Sequence, residues 1–399
     1  MALAYQTNAT FFISFAPNLL LMTSKNIKTY LPWIDFLRIL ACFMVLISHS
    51  CDAFVGTFDN SSTFHQGVFW GSIVRACVPL FAMMSGILLF PVQTDVATFY
   101  KKRIGRILIP LLFWSIVLPL TFFIYLNFIK SSSSALIDMN NFTTQATLTK
   151  IYTAVFNFNY DTTPLWYMYM LIGLYLIIPI IGSWLNQASK KDIQYFLGFW
   201  GITLLAPYIK MIAPTLGYTG NYGQMGLWGV CNWNEFGTFY YFSGFLGYII
   251  LAYYLVKYPF QWSLTKTISI AIPLFVIGFI ITFSGFLLTQ KHYPGNYANL
   301  EIVWYFCNIN VAMMTVAIFL IVQKLNIRES KWIKNTAGAT FGIYLCHFVI
   351  VQAMTDTFLN IDYLPASLKI LSIALLSFGL SYLVTKLFDT NSITRRFIR

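Results

Sequence analysis

Along this chain apolar residues gather in runs of about twenty, separated by short polar stretches, and a run of that length crosses a hydrocarbon core of about 30 Å as one helix. The runs predict ten spans, near 33–54, 67–90, 107–126, 164–185, 193–213, 236–256, 267–288, 301–322, 337–358 and 365–385. The longest polar stretch, roughly 127–163, is rich in Ser, Thr and Asn, and a second, near 214–235, carries Gly and Trp. Stretches of that length serve either as lids and recognition surfaces or as solvated connectors. The expected fold class is therefore all-α, a polytopic membrane helix bundle of about ten transmembrane helices.

Composition agrees. Of 399 residues 58% are hydrophobic and only 10% charged, where a soluble domain carries roughly a quarter. Aromatic residues make up 19% of the chain, which excludes disorder. A net charge of +12 would suggest a nucleic-acid partner in a soluble protein. Here Lys and Arg lie between the apolar runs, so they report membrane orientation and no nucleic acid is expected. With the N-terminus inside, 18 of the 25 Lys and Arg fall on the cytoplasmic side, leaving only Lys130, Lys150 and Lys291 in outer loops. Both termini are then cytoplasmic. The cysteines, Cys42, Cys51, Cys77, Cys231, Cys307 and Cys346, show no CxxC spacing and mostly sit within runs, which marks them as packing residues and gives no metal site. An apolar stretch from Phe11 to Met22, interrupted by Pro17, is too short to span and lacks a basic flank. Translation from Met22 is the plain expectation, which divides the chain into a leader (1–30), a transmembrane domain (31–388) and a basic cytoplasmic tail (389–399).

Ionisable residues inside spans are costly, and so are candidates for function. The first span holds Asp35, Arg38, His49 and Asp52. Eleven steps of about 100° return His49 to within about 20° of the azimuth of Arg38, and the rise separates them by roughly 16 Å along that face. An anion entering from inside meets Arg38 while chemistry proceeds at His49. Asp52, one turn further, can orient the imidazole and stabilise its protonated form. The plainer alternative is two i,i+3 pairs, Asp35 with Arg38 and His49 with Asp52, that merely fix the helix in the bundle.

Lys101, Lys102, Arg103 and Arg106 crowd the inner mouth between spans two and three. Arg103 and Arg106 project together if the third helix begins that early, and an arginine pair grips phosphates with a geometry lysine does not match. A basic inner loop is also what orientation requires. Arg75, within the second span, needs an acidic or carbonyl partner, with Asp52, Glu235 and Glu301 at comparable expected depth. His347, in FGIYLCH, falls near mid-membrane, as a satisfied core histidine or a catalytic one. Glu235 and Glu301 begin spans six and eight, where helix N-termini favour acids in any case. Arg75, Glu235, Glu301 and His347 are further candidates for binding an acceptor or stabilising developing charge.

IDFLRILACFMVLISHS, in which ten residues separate Arg38 from His49, resembles the R-x10-H motif of the integral-membrane acyltransferase-3 family. RIGR, Arg103 to Arg106, resembles that family's cytoplasmic RxxR. RACVPLFAMMSGILL at 75–89, PLWYMYMLIGLYLIIPII at 164–181 and NTAGATFGIYLCHFVI at 335–350 are similar to further stretches of the family. The likeness runs from about Leu31 to the last span and is nearest to the O-acetyltransferase branch that modifies surface glycans such as enterobacterial common antigen. It implies an O-acyltransferase of a bacterial cytoplasmic membrane that takes an acyl group, acetyl above all, from cytoplasmic acyl-CoA to a hydroxyl of a cell-surface glycan or its lipid-linked precursor. Acyl-CoA is then a co-substrate with no bound cofactor, His49 the catalytic base, and Arg38, Arg103 and Arg106 contacts of the CoA moiety. The expected partners are acyl-CoA, a glycan or lipid-linked saccharide and membrane lipids, with self-association left open. Without an identifiable activated nucleophile among Ser48, Ser50, Cys42 and Cys51, direct transfer is preferred. Two other classes suit ten spans with embedded charge: a secondary transporter or lipid-linked glycan flippase, and a binding or scaffolding module. A transporter commonly shows paired repeats, and no matching halves are seen in this sequence.

Overall fold

The computed structural model describes residues 30–399 apart from 157, 219–225, 232–233, 235 and 296–301. The leader expected over 1–30 therefore lies, save for Tyr30, outside the described residues, as do Glu235 and Glu301. Among the described residues the regular structure is all helix, with no strand and one isolated bridge between Cys231 and Asn234.

In chain order the helices are α1 (Pro32–Val55), α2 (Ser62–Ile73), α3 (Cys77–Leu89), α4 (Val96–Ile124), α5 (Thr144–Tyr152), α6 (Trp166–Gln187), α7 (Lys190–Thr203), α8 (Ala206–Ile212), α9 (Leu246–Lys257), α10 (Leu264–His292), α11 (Ile309–Lys324), α12 (Lys331–Phe358) and α13 (Ala366–Asp389). A π-helical turn, Tyr125–Ile129, extends α4, and a 3-10 turn, Tyr160–Leu165, leads into α6. Among the described residues nine helical stretches are long and apolar enough to cross a membrane, with α2 and α3 in series forming one and α7 with α8 another. The polytopic bundle is the architecture that the apolar runs predict.

Polar residues start several of these helices. Asp95, Ser189, Ser263 and Ser330 each accept a hydrogen bond from the backbone N–H three residues on, at the starts of α4, α7, α10 and α12. The second span is interrupted: the chain turns through Val74, Arg75 and Ala76 and restarts at Cys77, with Pro79 in the first turn of α3, where its missing N–H is tolerated. The sixth expected span, 236–256, differs more. A 3-10 turn at Gly237–Phe242 leads into α9, whose 12 residues cover only about 18 Å. Gly237 and Gly244 have φ of +49° and +79°, which divide an apolar run that reads as continuous.

α1 forms the buried axis, packed against α2, α3, α12 and α13. Gly86 allows α3 to approach α9, because a Cβ there would collide with the backbone of Ile249. α4 turns apolar side chains outward: Leu108, Leu112, Ile116, Leu120 and Ile124, four apart, are exposed. In a membrane-spanning helix such a row faces lipid. The six cysteines are buried and unpaired.

Candidate active site

Because α1 is unbroken, Arg38 and His49 share one helix face, as their spacing predicts. Arg38 Nη1 lies 3.1 Å from Asp35 Oδ1, and the arginine side chain remains 30% exposed. His49 Nδ1 lies 2.9 Å from Asp52 Oδ2. Opposite an ionised carboxylate, Nδ1 carries the proton and donates it, which leaves the Nε2 lone pair to accept a proton from a substrate hydroxyl. Both i,i+3 pairs of the plainer alternative are therefore formed. The second of them also has the geometry that orients a base, so the contact that fixes the helix is compatible with chemistry at His49.

α12 supplies the facing wall. The His347 ring lies 5.3 Å from that of His49, and the Phe348 ring meets His49 edge-on at 5.1 Å. His347 is fully buried and donates from Nδ1 to the Tyr344 carbonyl at 2.6 Å, while its Nε2 has no hydrogen-bond partner among the described residues. The Tyr344 hydroxyl donates to the carbonyl of Pro164, tying α12 to the turn that leads into α6. In that same turn Tyr160 packs on Phe348 at 5.3 Å and donates to Gln352 at 3.3 Å.

The guanidinium of Arg75, in the break between α2 and α3, lies 4.0 Å over the Trp304 ring and 5.5 Å from that of Phe306, and its Nε is buried without a hydrogen-bond partner among the described residues. Among the described residues two aromatic faces, whose quadrupoles attract a cation, stand against it, while two of the acids expected at its depth, Glu235 and Glu301, lie outside those residues. Arg103 and Arg106 lie on α4, which begins at Val96, early enough for both to project from it. Both are within electrostatic reach of Tyr175 on α6. His49, Asp52 and His347 are thus brought together, and Cys51, next to Asp52 on α1, feels the charges of both Asp52 and Arg75. An apolar groove of about 420 Å³ along α8, lined by Tyr208, Ile212, Leu216 and Trp228 among others, borders none of these residues.

A family model described as an acyltransferase domain matches residues 31–386, a stretch that contains every candidate residue named above. The chain belongs to that family. No curated protein and no solved structure matches it. With its membrane-crossing helices, the protein is a multi-pass membrane acyltransferase.

Sequence reasoning passed over one polar centre of the acyltransferase. Asp356, fully buried near the end of α12, accepts hydrogen bonds from Tyr125 Oη at 3.0 Å, Ser132 Oγ at 2.5 Å and Gln352 Nε2 at 3.1 Å. Lys130 Nζ donates to the Asp356 backbone carbonyl at 2.8 Å. The network ties the end of α4 and the start of the long connection to α12, within one side chain of Tyr160 through Gln352. Its signal was available, since an acid inside an apolar run is the same anomaly that singles out Arg75.

Proposed function

We propose that this acyltransferase moves an acyl group, acetyl in the first instance, from acyl-CoA on the cytoplasmic side to a hydroxyl of a cell-surface glycan or of its lipid-linked precursor. The observation that carries the reading is the 2.9 Å contact of His49 Nδ1 with Asp52, on the helix that also bears Arg38. The acceptor hydroxyl hydrogen-bonds to Nε2 of His49 and attacks the thioester carbonyl, and its proton passes to Nε2 as the C–O bond forms. Collapse of the tetrahedral intermediate breaks the C–S bond, and the departing thiolate takes that proton and leaves as the CoA thiol. Asp52 holds the ring in the required tautomer and offsets the imidazolium charge. Arg38, Arg103 and Arg106 hold the phosphates of the donor, and the RxxR pair is suited to bidentate contacts. Arg75, His347, Glu235 and Glu301 are the residues proposed for the acceptor or for the developing oxyanion.

The test is transfer of labelled acetyl from acetyl-CoA to membrane glycans. His49→Ala lowers turnover about 10²–10⁴-fold, and equal transfer by this variant would remove His49 from the mechanism. Arg103→Ala raises the donor KM with little change in kcat. Mass spectrometry of surface glycans made with and without the protein identifies the transferred group and its acceptor.

A further inference from the structure

In the connection from α4 to α6 an ion pair is turned inward while large apolar side chains are turned outward. In α5, Thr147 and Lys150 are buried; Lys150 Nζ meets the fully buried Asp161 at 2.9 Å and lies 4.1 Å over the Phe142 ring. Leu148 and Tyr152, one turn apart on another side of the helix, are 61% and 89% exposed, and Phe156 in the following turn is 96% exposed. For a segment bathed in water this is inside out. The internal ion pair fixes the rotation of α5, because rolling the apolar side chains inward would strand a buried charge.

Neighbouring elements indicate what covers this face. α5 packs on α4, whose outward row continues past Ile124 into Phe128 and Ile129, 74% and 71% exposed. On the other flank Tyr169, in the first turn of α6, donates to the Val155 carbonyl at 2.7 Å. The turn that carries Phe156 is thereby pinned beside a residue of the candidate span Tyr160–Gln187. Val155 itself has φ of +75°, a rare conformation for a β-branched residue. Tyr169 heads an outward row that continues in Leu176 and Ile180. The exposed face of α5 and its turn is thus continuous with the lipid-facing rows of both flanking spans, and a lipid surface is the occupant that this continuity selects.

We propose that α5 and the turn after it form an interfacial element that seats Leu148, Tyr152 and Phe156 about 5–10 Å into the boundary between lipid headgroups and acyl chains. The segment then continues to Tyr160, which packs on Phe348 beside the His49 ring. The bilayer in this way helps to hold the segment that borders the reaction centre. This inference rests on α4 and α6 being membrane spans and is independent of the choice of donor and acceptor.

The native cysteines are buried, so nitroxide labels report on single cysteines introduced at Leu148, Tyr152 and Phe156, with the exposed Asn140 and Asn141 before α5 as references, in the full chain in lipid nanodiscs. Power saturation with oxygen and a water-soluble nickel chelate is expected to favour oxygen several-fold more at the three apolar positions than at the references. Chelate access equal to the references would place the face in water, and exclusion of both reagents would place it against protein; either overturns the proposal. A measurement free of labels is hydrogen exchange over 144–156 in the Tyr152→Ser, Phe156→Ser pair. Faster exchange in nanodiscs is expected, and unchanged exchange counts against the lipid seat. Loss of acetyl transfer in any variant leaves these readouts unaffected.

Discussion

His49 and Asp52 lie three residues apart on one helix, and their 2.9 Å contact makes the acid an orienting group for the imidazole. Replacing Asp52 with Asn keeps the size of the side chain and removes the charge that steadies an imidazolium. Asp52→Asn is expected to lower kcat by about tenfold or more, about 1.4 kcal/mol of transition-state stabilisation, with the donor KM unchanged in acetyl-transfer kinetics. Asp356→Ala acts differently. It leaves the buried donors of Tyr125, Ser132 and Gln352 without their acceptor and is expected to cost about 1–3 kcal/mol of stability, read as earlier thermal unfolding. The relation between Arg38 and His49 was legible in the sequence because azimuth along one helix follows from spacing alone. The approach of His347 to within 5.3 Å of His49 was not, since periodicity assigns a face without naming the helix opposite it. Arg75 was legible as an anomaly, but the aromatic faces beside it were not, because they carry no charge that a search for acids would find.

At the scale of elements, α5 depends on a pair that is costly to break and replaceable as a unit. Lys150→Met alone strands the Asp161 carboxylate and is expected to destabilise the protein by about 3–5 kcal/mol, whereas Lys150→Met with Asp161→Leu restores most of the loss in the same unfolding measurement. The start of α4 has a pH signature. Hydrogen bonds from the Thr98 hydroxyl and amide hold the Asp95 carboxyl below its ordinary range. A depressed folded value means that the cap contributes stability above about pH 4 and loses it as pH falls through that lower value. The protection factor of the Thr98 amide, its exchange rate corrected for the intrinsic pH dependence of amide exchange, should therefore fall in acid and stay flat above that window. Caps of this kind can be read from sequence, as can long apolar runs. The division of the sixth run into a 3-10 turn and α9 could not, because Gly237 and Gly244 interrupt it without changing its hydropathy.

For the whole molecule, the alternation of apolar runs and basic loops specified an all-helical membrane bundle but not which helices are neighbours. A C-terminal fluorescent fusion is expected to glow and a C-terminal alkaline phosphatase to stay silent, the outcome for a cytoplasmic end. The position of α1 among α2, α3, α12 and α13 bears on how the protein is made. The helix that carries Asp35, Arg38, His49 and Asp52 emerges from the ribosome long before two of these helices, α12 and α13, have been translated. Until residues beyond 331 are threaded into the bilayer, its polar flank must be sheltered by the translocon or by a membrane chaperone. A nascent chain stalled short of that point is a ready target for quality-control proteolysis, and the proposed reaction centre comes into being only in the closing moments of biosynthesis.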